Sequence, residues 1–374
     1  MSEVYNSIYF VTGGGTGGHI YPAMAVADTL TESGAKVYYV GNKRNMEFEL
    51  ASKKGYKFLH VSVSGMPRKL NPKFFVWGVK LVKAILRSVR YIKKYKPNAV
   101  FATGGYVSAP MIFACRITKT PYIMHDCDAM PGLVTRKLSK RAKYVTLAFE
   151  KAKKYIPNKH TVITGNPIRA GFRTMTKAEA KANMGLENRL TLCIMGGSQG
   201  AKTINESAVK IIKDLSQKLD IQVIFQTGKR NFETAINEIE KIYPEYKEDK
   251  NLIIRPYFED MVTVLKACDI AISRAGSLSI SELCASNVAT IFIPYPYAAQ
   301  DHQRKNAKYM VENGAGLYLE NSDTTPEKLF DMINSLVQDK TKMEAIQNAA
   351  SKMAKFDGVQ NIIKQIKSAI GSKN

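Results

Sequence analysis

The sequence predicts an α/β protein with two doubly wound parallel sheets. Short β-branched and aromatic runs alternate with helical segments along the whole chain, which is the pattern of βαβ units. Glycine-rich turns follow such runs at corresponding places in the two halves. The length of 374 residues suits about two domains of ~150 residues each.

In the first half, strands are expected at residues 8–11, 37–40, 58–63, 99–102, 122–125, 144–147 and 161–163. In the second half they are expected at 190–195, 222–226, 252–254, 270–273, 290–293 and 317–319. The first strand runs into Gly13-Gly14-Gly15-Thr16-Gly17-Gly18-His19, the fourth into Thr103-Gly104-Gly105-Tyr106, and the eighth into Gly196-Gly197-Ser198-Gln199-Gly200. Each reads as a buried strand, a glycine turn and a helix, and the free N–H groups of such a helix start favour phosphate. One such turn in each half suggests two phosphate-bearing ligands. The turn signal Gly165-Asn166-Pro167, within 164–169, divides the chain into domains 1–168 and 169–356. A last helix-like stretch, 359–369, is too short to form a domain.

The five cysteines, Cys115, Cys127, Cys193, Cys268 and Cys284, are odd in number and never spaced CxxC. That points to a reducing compartment, not to a disulfide scaffold or zinc site. Met1-Ser2-Glu3 does not open a signal peptide, and no charge-free apolar stretch reaches the ~18 residues of a membrane span. The net charge of +23 suggests a polyanionic partner: nucleic acid, anionic lipid or a phosphorylated substrate. A lysine-rich proteome would account for the total but not for its placement.

Residues 71–96 carry Lys73, Lys80, Lys83, Arg87, Arg90, Lys93, Lys94 and Lys96 and no acid. Lys80, Lys83, Arg87, Arg90 and Lys94 form one helical stripe, and Phe75, Val79, Val82, Leu86 and Val89 form another. Phe74 and Trp77, the only tryptophan, lie at the start. The apolar stripe is expected to pack on the sheet. The basic stripe and the Phe74–Trp77 end are expected to meet an anionic membrane surface, extended by 66–70. The plainer alternative is a sheet-covering helix with a solvated basic face.

Gly13, Gly15 and Gly18 match GxGxxG, but a dinucleotide site also wants a carboxylate after the second strand. Here that strand ends Val40-Gly41-Asn42-Lys43-Arg44. Arg44 facing a 2′-phosphate keeps an NADP-dependent oxidoreductase open. A non-enzymatic nucleic-acid binder would account for the charge but not for the ordered motifs.

Taken together, Gly14–His19, Thr103–Ser108, Thr164–Arg169, Gly196–Ala201, Ser273–Ser277 with Ser281-Glu282-Leu283, Asp301-His302-Gln303 and Asn306-Ala307 resemble the MurG family over essentially the whole chain. Those bacterial enzymes transfer N-acetylglucosamine from UDP-N-acetylglucosamine to a lipid-linked muramyl-pentapeptide, converting lipid I to lipid II in peptidoglycan synthesis. The resemblance implies a GT-B glycosyltransferase fold of two Rossmann-like domains facing a cleft, with residues 357–374 packing back on the first. It implies an inverting transferase acting peripherally at the cytoplasmic face of the bacterial inner membrane. No cofactor, metal or nucleic acid is expected. The expected partners are the UDP-sugar, the lipid-linked acceptor, the anionic membrane and other cell-wall synthesis proteins. Another UDP-sugar transferase with a different lipid acceptor is the nearest alternative.

On the donor side, the resemblance implies Ser198 at the diphosphate turn, Phe258 contacting uracil through its backbone, and Ser277, Leu278, Ser279, Ile280, Ser281 and Glu282 at phosphate and ribose. Gln303 would read sugar hydroxyls, and Arg169 would reach donor phosphate. Thr16, Gly17 and Gly18 would approach the donor sugar. On the acceptor side, Gly14, Gly15, Gly104, Gly105, Tyr106 and Ser108 would cradle the lipid pyrophosphate.

His19 is the candidate general base, since histidine exchanges protons near neutrality. Hydrogen bonding to the sugar or the loop is its alternative role. Asp128 departs from the family, whose members commonly have His-Glu-x-Asn where this chain has His125-Asp126-Cys127-Asp128. As a carboxylate it would bind a sugar hydroxyl or act as base. Asp126-Cys127-Asp128 also reads formally as a DxD metal motif, but it falls in the acceptor half.

Overall fold

A computed structural model describes residues 7–67, 72–197 and 200–371, apart from the Lys73 side chain. The chain divides into two units, 1–168 with 357–374, and 169–356.

The first unit holds β1 (Ile8–Thr12), β2 (Lys36–Gly41), β3 (Lys57–His60), β4 (Ala99–Ala102), β5 (Tyr122–Asp126), β6 (Tyr144–Leu147) and β7 (Thr161–Ile163). They form one parallel sheet in the order β3-β2-β1-β4-β5-β6-β7. The second unit holds β8 (Thr191–Met195), β9 (Gln222–Gln226), β10 (Leu252–Arg255), β11 (Ile270–Ser273), β12 (Ala289–Phe292) and β13 (Leu317–Tyr318). Its parallel order is β10-β9-β8-β11-β12-β13. In each sheet the strand order reverses beside the strand that runs into a glycine turn, β1 or β8. Doubly wound sheets bind ligands at that reversal, outside the C-terminal strand ends.

The strands read as continuous apolar runs because both faces are covered. Phe10 and Val100 join one buried cluster, and Tyr9, Val11 and Phe101 join the other. β3 stops at His60, short of the expected 63, because its partner β2 ends at Gly41. Val61 N still donates to Gly41 O (2.8 Å), and only the Asn42 side chain follows the strand to Val63 O (3.1 Å).

The last helix, Gly358–Gly371, lies within the first unit. It sinks Val359, Ile362, Ile363 and Ile366 into the cluster containing Tyr9 and Ile20. Each such aliphatic chain contributes roughly 1.5–3 kcal/mol on burial. Gly358 permits the close approach, since a Cβ there would stand 2.3 Å from Asn166 O.

The basic segment forms the helix Pro72–Tyr95, and its phase differs from expectation. Leu81, Ala84, Ser88 and Ile92 turn inward, packing toward the helix Gly105–Thr118. Phe75, Val79, Val82 and Leu86 face outward, with Phe75 77% exposed. Only Val89 of the expected buried stripe is half-buried against the core. Both stripes share the 3–4 spacing, so spacing alone does not choose between them. The small Ala84 and Ser88 settle it by letting the helix approach its neighbour, with the Ser88 hydroxyl satisfied by Ala84 O at 2.9 Å. Among the described residues, no helix is long and apolar enough to cross a membrane.

Candidate active site

In the first unit, the turn after β1 leads into the helix Gly17–Glu32. Its N-cap, Thr16, is exposed and makes no side-chain cap bond. Beneath the turn lies Glu47, a fully buried residue that the sequence reading did not single out. Its carboxylate accepts from Asn42 N (3.2 Å), Asn45 Nδ2 (3.1 Å) and, at the long distance of 3.4 Å, Gly15 N. The Gly15 N–H is therefore turned toward a carboxylate and not left open for pyrophosphate. A Cβ on Gly14 would stand 2.7 Å from that carboxyl group, so glycine is needed there.

Thr103 Oγ1 donates to His19 O at 2.6 Å, which joins the first glycine turn to the second. Gly104 and Gly105 adopt φ of 87° and 72°, open to glycine at little cost. A Cβ on Gly105 would stand 2.5 Å from Gly14 O and 3.2 Å from the His19 ring. The imidazole thus lies against both turns, and its Nδ1 is buried without a hydrogen-bond partner among the described residues. Tyr106 OH accepts from Asn45 Nδ2 (3.2 Å) beside Gly15. Ser108 is fully buried and its hydroxyl donates to Gly105 O (2.9 Å), which supports the turn.

The loop after β5 holds the other titratable groups. Burial lowers the His125 pKa to about 4, and its ring meets Thr146 Oγ1 (3.0 Å) and Asn166 Oδ1 (3.3 Å). Asp126 is also fully buried. Burial, then the neighbouring Asp128, pushes its pKa up to about 6. Its carboxylate accepts from Asp128 N (3.2 Å) and Gly132 N (3.0 Å), which fixes the loop that carries Asp128. The first carboxylate of the formal DxD motif is thus turned to the main chain. Cys127 Sγ contacts Gly18 O at 3.2 Å, which ties this loop to the first glycine turn.

In the second unit, Gly197 and Gly200 adopt φ of 86° and 76° in the turn after β8. Ser198 lies outside the described residues. A Cβ on Gly200 would stand 2.1 Å from Thr227 O, so the turns after β8 and β9 interlock. Gln226, which the sequence reading also passed over, joins them further. Its Nε2 donates to Gly197 O (3.4 Å) and its Oε1 accepts from Phe258 N (3.0 Å).

The helix Ser277–Ala285 starts at Gly276 with no side-chain cap and no acid in its first turn. The N–H groups of Leu278 and Ser279, in the first turn, have no carbonyl one turn back, as at any helix start. Ile280 is different: its N–H is bonded to Gly276 O (2.9 Å) and its side chain is core. Ser281 donates to Ser277 O (3.1 Å). Glu282 is buried, and burial pushes its pKa up to about 7 against the lowering effect of Arg169. Gln303 Oε1 accepts from Tyr295 N (2.9 Å), and its amide nitrogen makes no hydrogen bond among the described residues.

Trp77 is half-buried and donates from Nε1 to Ser64 O (2.9 Å). Phe74 is also half-buried, against the Trp77 ring at 5.5 Å. Lys80, Lys83, Arg87 and Arg90 are exposed, beside the outward apolar stripe. Residues 68–71 of the expected patch, and the Lys73 side chain, lie outside the described residues.

Family models match both units: the glycosyltransferase family 28 N-terminal domain over residues 9–147 and the C-terminal domain over 191–366. The chain is similar to a UDP-N-acetylglucosamine–N-acetylmuramyl-(pentapeptide) pyrophosphoryl-undecaprenol N-acetylglucosamine transferase of Desulforamulus reducens, at 35% identity over 95% of this chain and 96% of the relative. A relative of the same name from Alkaliphilus metalliredigens is 36% identical over 97% and 99%. Among solved structures, Acinetobacter baumannii MurG aligns with a TM-score of 0.79 at 27% identity, covering 97% of this chain and 99% of that one. A UDP-GlcNAc 2-epimerase from Neisseria meningitidis, bound to UDP-GlcNAc, shares the fold at TM-score 0.64 and 13% identity, over 97% and 100%. With two parallel Rossmann-like sheets, both family 28 domain models matched and such relatives along nearly its whole length, the chain belongs to the MurG family of glycosyltransferases.

Proposed function

We propose that this glycosyltransferase moves N-acetylglucosamine from UDP-N-acetylglucosamine to O4 of the muramyl sugar on undecaprenyl-pyrophosphoryl-muramyl-pentapeptide, making lipid II from lipid I. The carrying observation is Glu282, a buried carboxylate on a helix that follows the C-terminal end of β11 and has no side-chain cap at its N-terminus. Such a helix start suits a diphosphate, and a buried acceptor one turn in suits paired ribose hydroxyls. The Phe258 backbone would take the uracil and the Gln303 amide the sugar. Arg169 and the N–H groups of Leu278 and Ser279 would stabilise negative charge growing on UDP as the anomeric bond breaks.

The acceptor belongs to the first unit. With the Gly15 N–H turned to Glu47, the pyrophosphate would rest on the Gly104–Gly105 turn and the Gly17–Glu32 helix start. The muramyl O4 attacks the anomeric carbon and inverts it, while His19 or Asp128 takes the proton. The outward stripe Phe75, Val79, Val82 and Leu86, flanked by Lys80, Lys83, Arg87 and Arg90, would hold the enzyme on the anionic cytoplasmic face of the membrane, where its acceptor resides.

The test is incubation with UDP-N-acetylglucosamine and a short-chain water-soluble lipid I analogue. Stoichiometric UDP and disaccharide product support the reading. Donor hydrolysis without disaccharide, or no turnover with any UDP-sugar, overturns it.

A further inference from the structure

Glu47 is fully buried in the first turn of the helix Met46–Lys53, where a carboxylate meets the positive end of the helix. The turn after β1, which leads into the helix Gly17–Glu32, sits on the same carboxyl group. A Cβ on Gly14 would stand 2.7 Å from the carboxyl carbon. The carboxylate accepts from three neutral N–H groups: Asn42 N (3.2 Å), Asn45 Nδ2 (3.1 Å) and Gly15 N (3.4 Å). Helix starts, a glycine turn and convergent N–H groups are what a phosphate uses when it binds such a fold. Here the chain's own carboxylate takes that place from behind. The outer side of the turn is open, since Gly15 and Thr16 are exposed and the Thr16 side chain caps nothing. An anion arriving from solvent would reach the turn and meet a negative charge directly beneath it.

We propose that Glu47 is an internal anion of the first glycine turn, and that it holds down the affinity of this turn for phosphate. This departs from the glycine pattern, which alone predicts an open cradle at Gly14 and Gly15. A buried charge this close to a bound anion changes its affinity by about tenfold or more. The consequence for turnover rests on the reading that the first unit takes the lipid-linked pyrophosphate. Acceptor and product carry the same pyrophosphate, so binding it more tightly favours both alike and speeds no chemical step. It would retain the product instead. Glu47 is thus a positioning residue: it holds the shape of the turn while keeping the turn weak for the group that both ligands share.

The experiment is isothermal titration of the full chain with inorganic pyrophosphate. Glu47→Gln keeps the shape of the side chain and removes its charge, so pyrophosphate should bind about tenfold tighter or more. Glu47→Asp keeps the charge and should stay within about threefold of wild type. Thr16→Glu, added to Glu47→Gln, returns a charge to the exposed side of the turn and should cancel the gain. A merely structural Glu47 would tighten binding in neither single variant. Equal affinity in the wild type and in a Glu47→Gln variant that melts as the wild type does overturns the proposal. A gain that survives Thr16→Glu overturns it as well. Should Glu47→Gln not fold, the wild type decides. With its N–H held by Glu47, the Gly15 amide of a glycine-labelled chain should follow added pyrophosphate no more than the buried Gly13 amide does. A saturating resonance shift of Gly15 alone overturns the proposal. On a short-chain lipid I analogue, Glu47→Gln should lower the acceptor KM and lower kcat with it. If the wild type turns over no such acceptor, the acceptor reading fails, while the pyrophosphate comparison is decided by its own result.

Discussion

Arg169 Nε stands 3.5 Å from Glu282 Oε1, and this ion pair is the only polar contact of the buried Glu282 carboxylate among the described residues. Arg169 is half-exposed while Glu282 is not, so the carboxylate is poorly compensated in the unliganded protein. Burial dominates and places its pKa at about 7. Ribose hydroxyls donate best to the ionised form, so protonation competes with donor binding. UDP-N-acetylglucosamine affinity should rise as pH climbs toward about 7, by at most about tenfold per unit, and level off above it. Arg169→Gln removes the charge that holds the pKa down, so the midpoint should move up. Glu282→Gln should flatten the curve, and Glu282→Ala should weaken donor binding by ~1–3 kcal/mol. Titration calorimetry across this range checks all four, and a flat wild-type curve removes Glu282 from the ribose.

The same shift has a stability consequence. The folded pKa of about 7 lies above the ordinary 4.5, so folding favours the protonated form. Stability from this group should decline as pH rises from 4.5 through 7, and Glu282→Gln should abolish that decline. Thermal melts of the unliganded chain at stepped pH measure it.

Membrane attachment should depend on the outward faces of the helix Pro72–Tyr95. Reversing Lys80, Lys83 and Arg87 to Glu should abolish sedimentation with anionic vesicles and spare turnover of a water-soluble acceptor. Phe75→Asp with Leu86→Asp should do the same, since those side chains are exposed. Wild-type binding should weaken with salt, because charges are screened over ~10 Å at 0.1 M. Vesicle binding that survives both variants would make this helix a solvated face only.

Glu47→Ala should cost about 1–3 kcal/mol of stability, because it leaves the buried Asn42 N–H without its acceptor. It should also free the Gly15 N–H, while the Asn45 side chain would lose Glu47 and keep its bond to Tyr106. Denaturant unfolding checks the first part. Wild-type stability would mean the turn holds itself without the carboxylate.

The two candidate bases separate kinetically. His19→Ala should lower the single-turnover rate by ~10²–10⁴ with donor affinity little changed, while Asp128→Asn stays active. The reverse pattern would assign the proton to Asp128. Saturating both substrates keeps binding losses out of the comparison.

The strands were legible because buried parallel strands must be short apolar runs, and the glycine turns because their backbones need positive φ or close approach. What escaped was set by distant contacts. Glu47 follows a turn thirty-odd residues away in sequence, and nothing local marks its carboxylate as buried. Gln226 gave a faint signal, a polar residue closing the apolar strand Val223–Phe225, but its two partners come from other loops. The face of the helix Pro72–Tyr95 was misjudged because size, not hydrophobicity, chose it: Ala84 and Ser88 pack inward and Phe75 does not.

The most direct test of the central claim is nuclear magnetic resonance of the product made from UDP-N-acetylglucosamine and a lipid I analogue. The donor sugar is α-linked to UDP, so a single in-line displacement should give a β linkage to muramyl O4, seen in the anomeric coupling and the cross-ring contact. An α linkage, attachment at another hydroxyl, or free N-acetylglucosamine as the main product would contradict it.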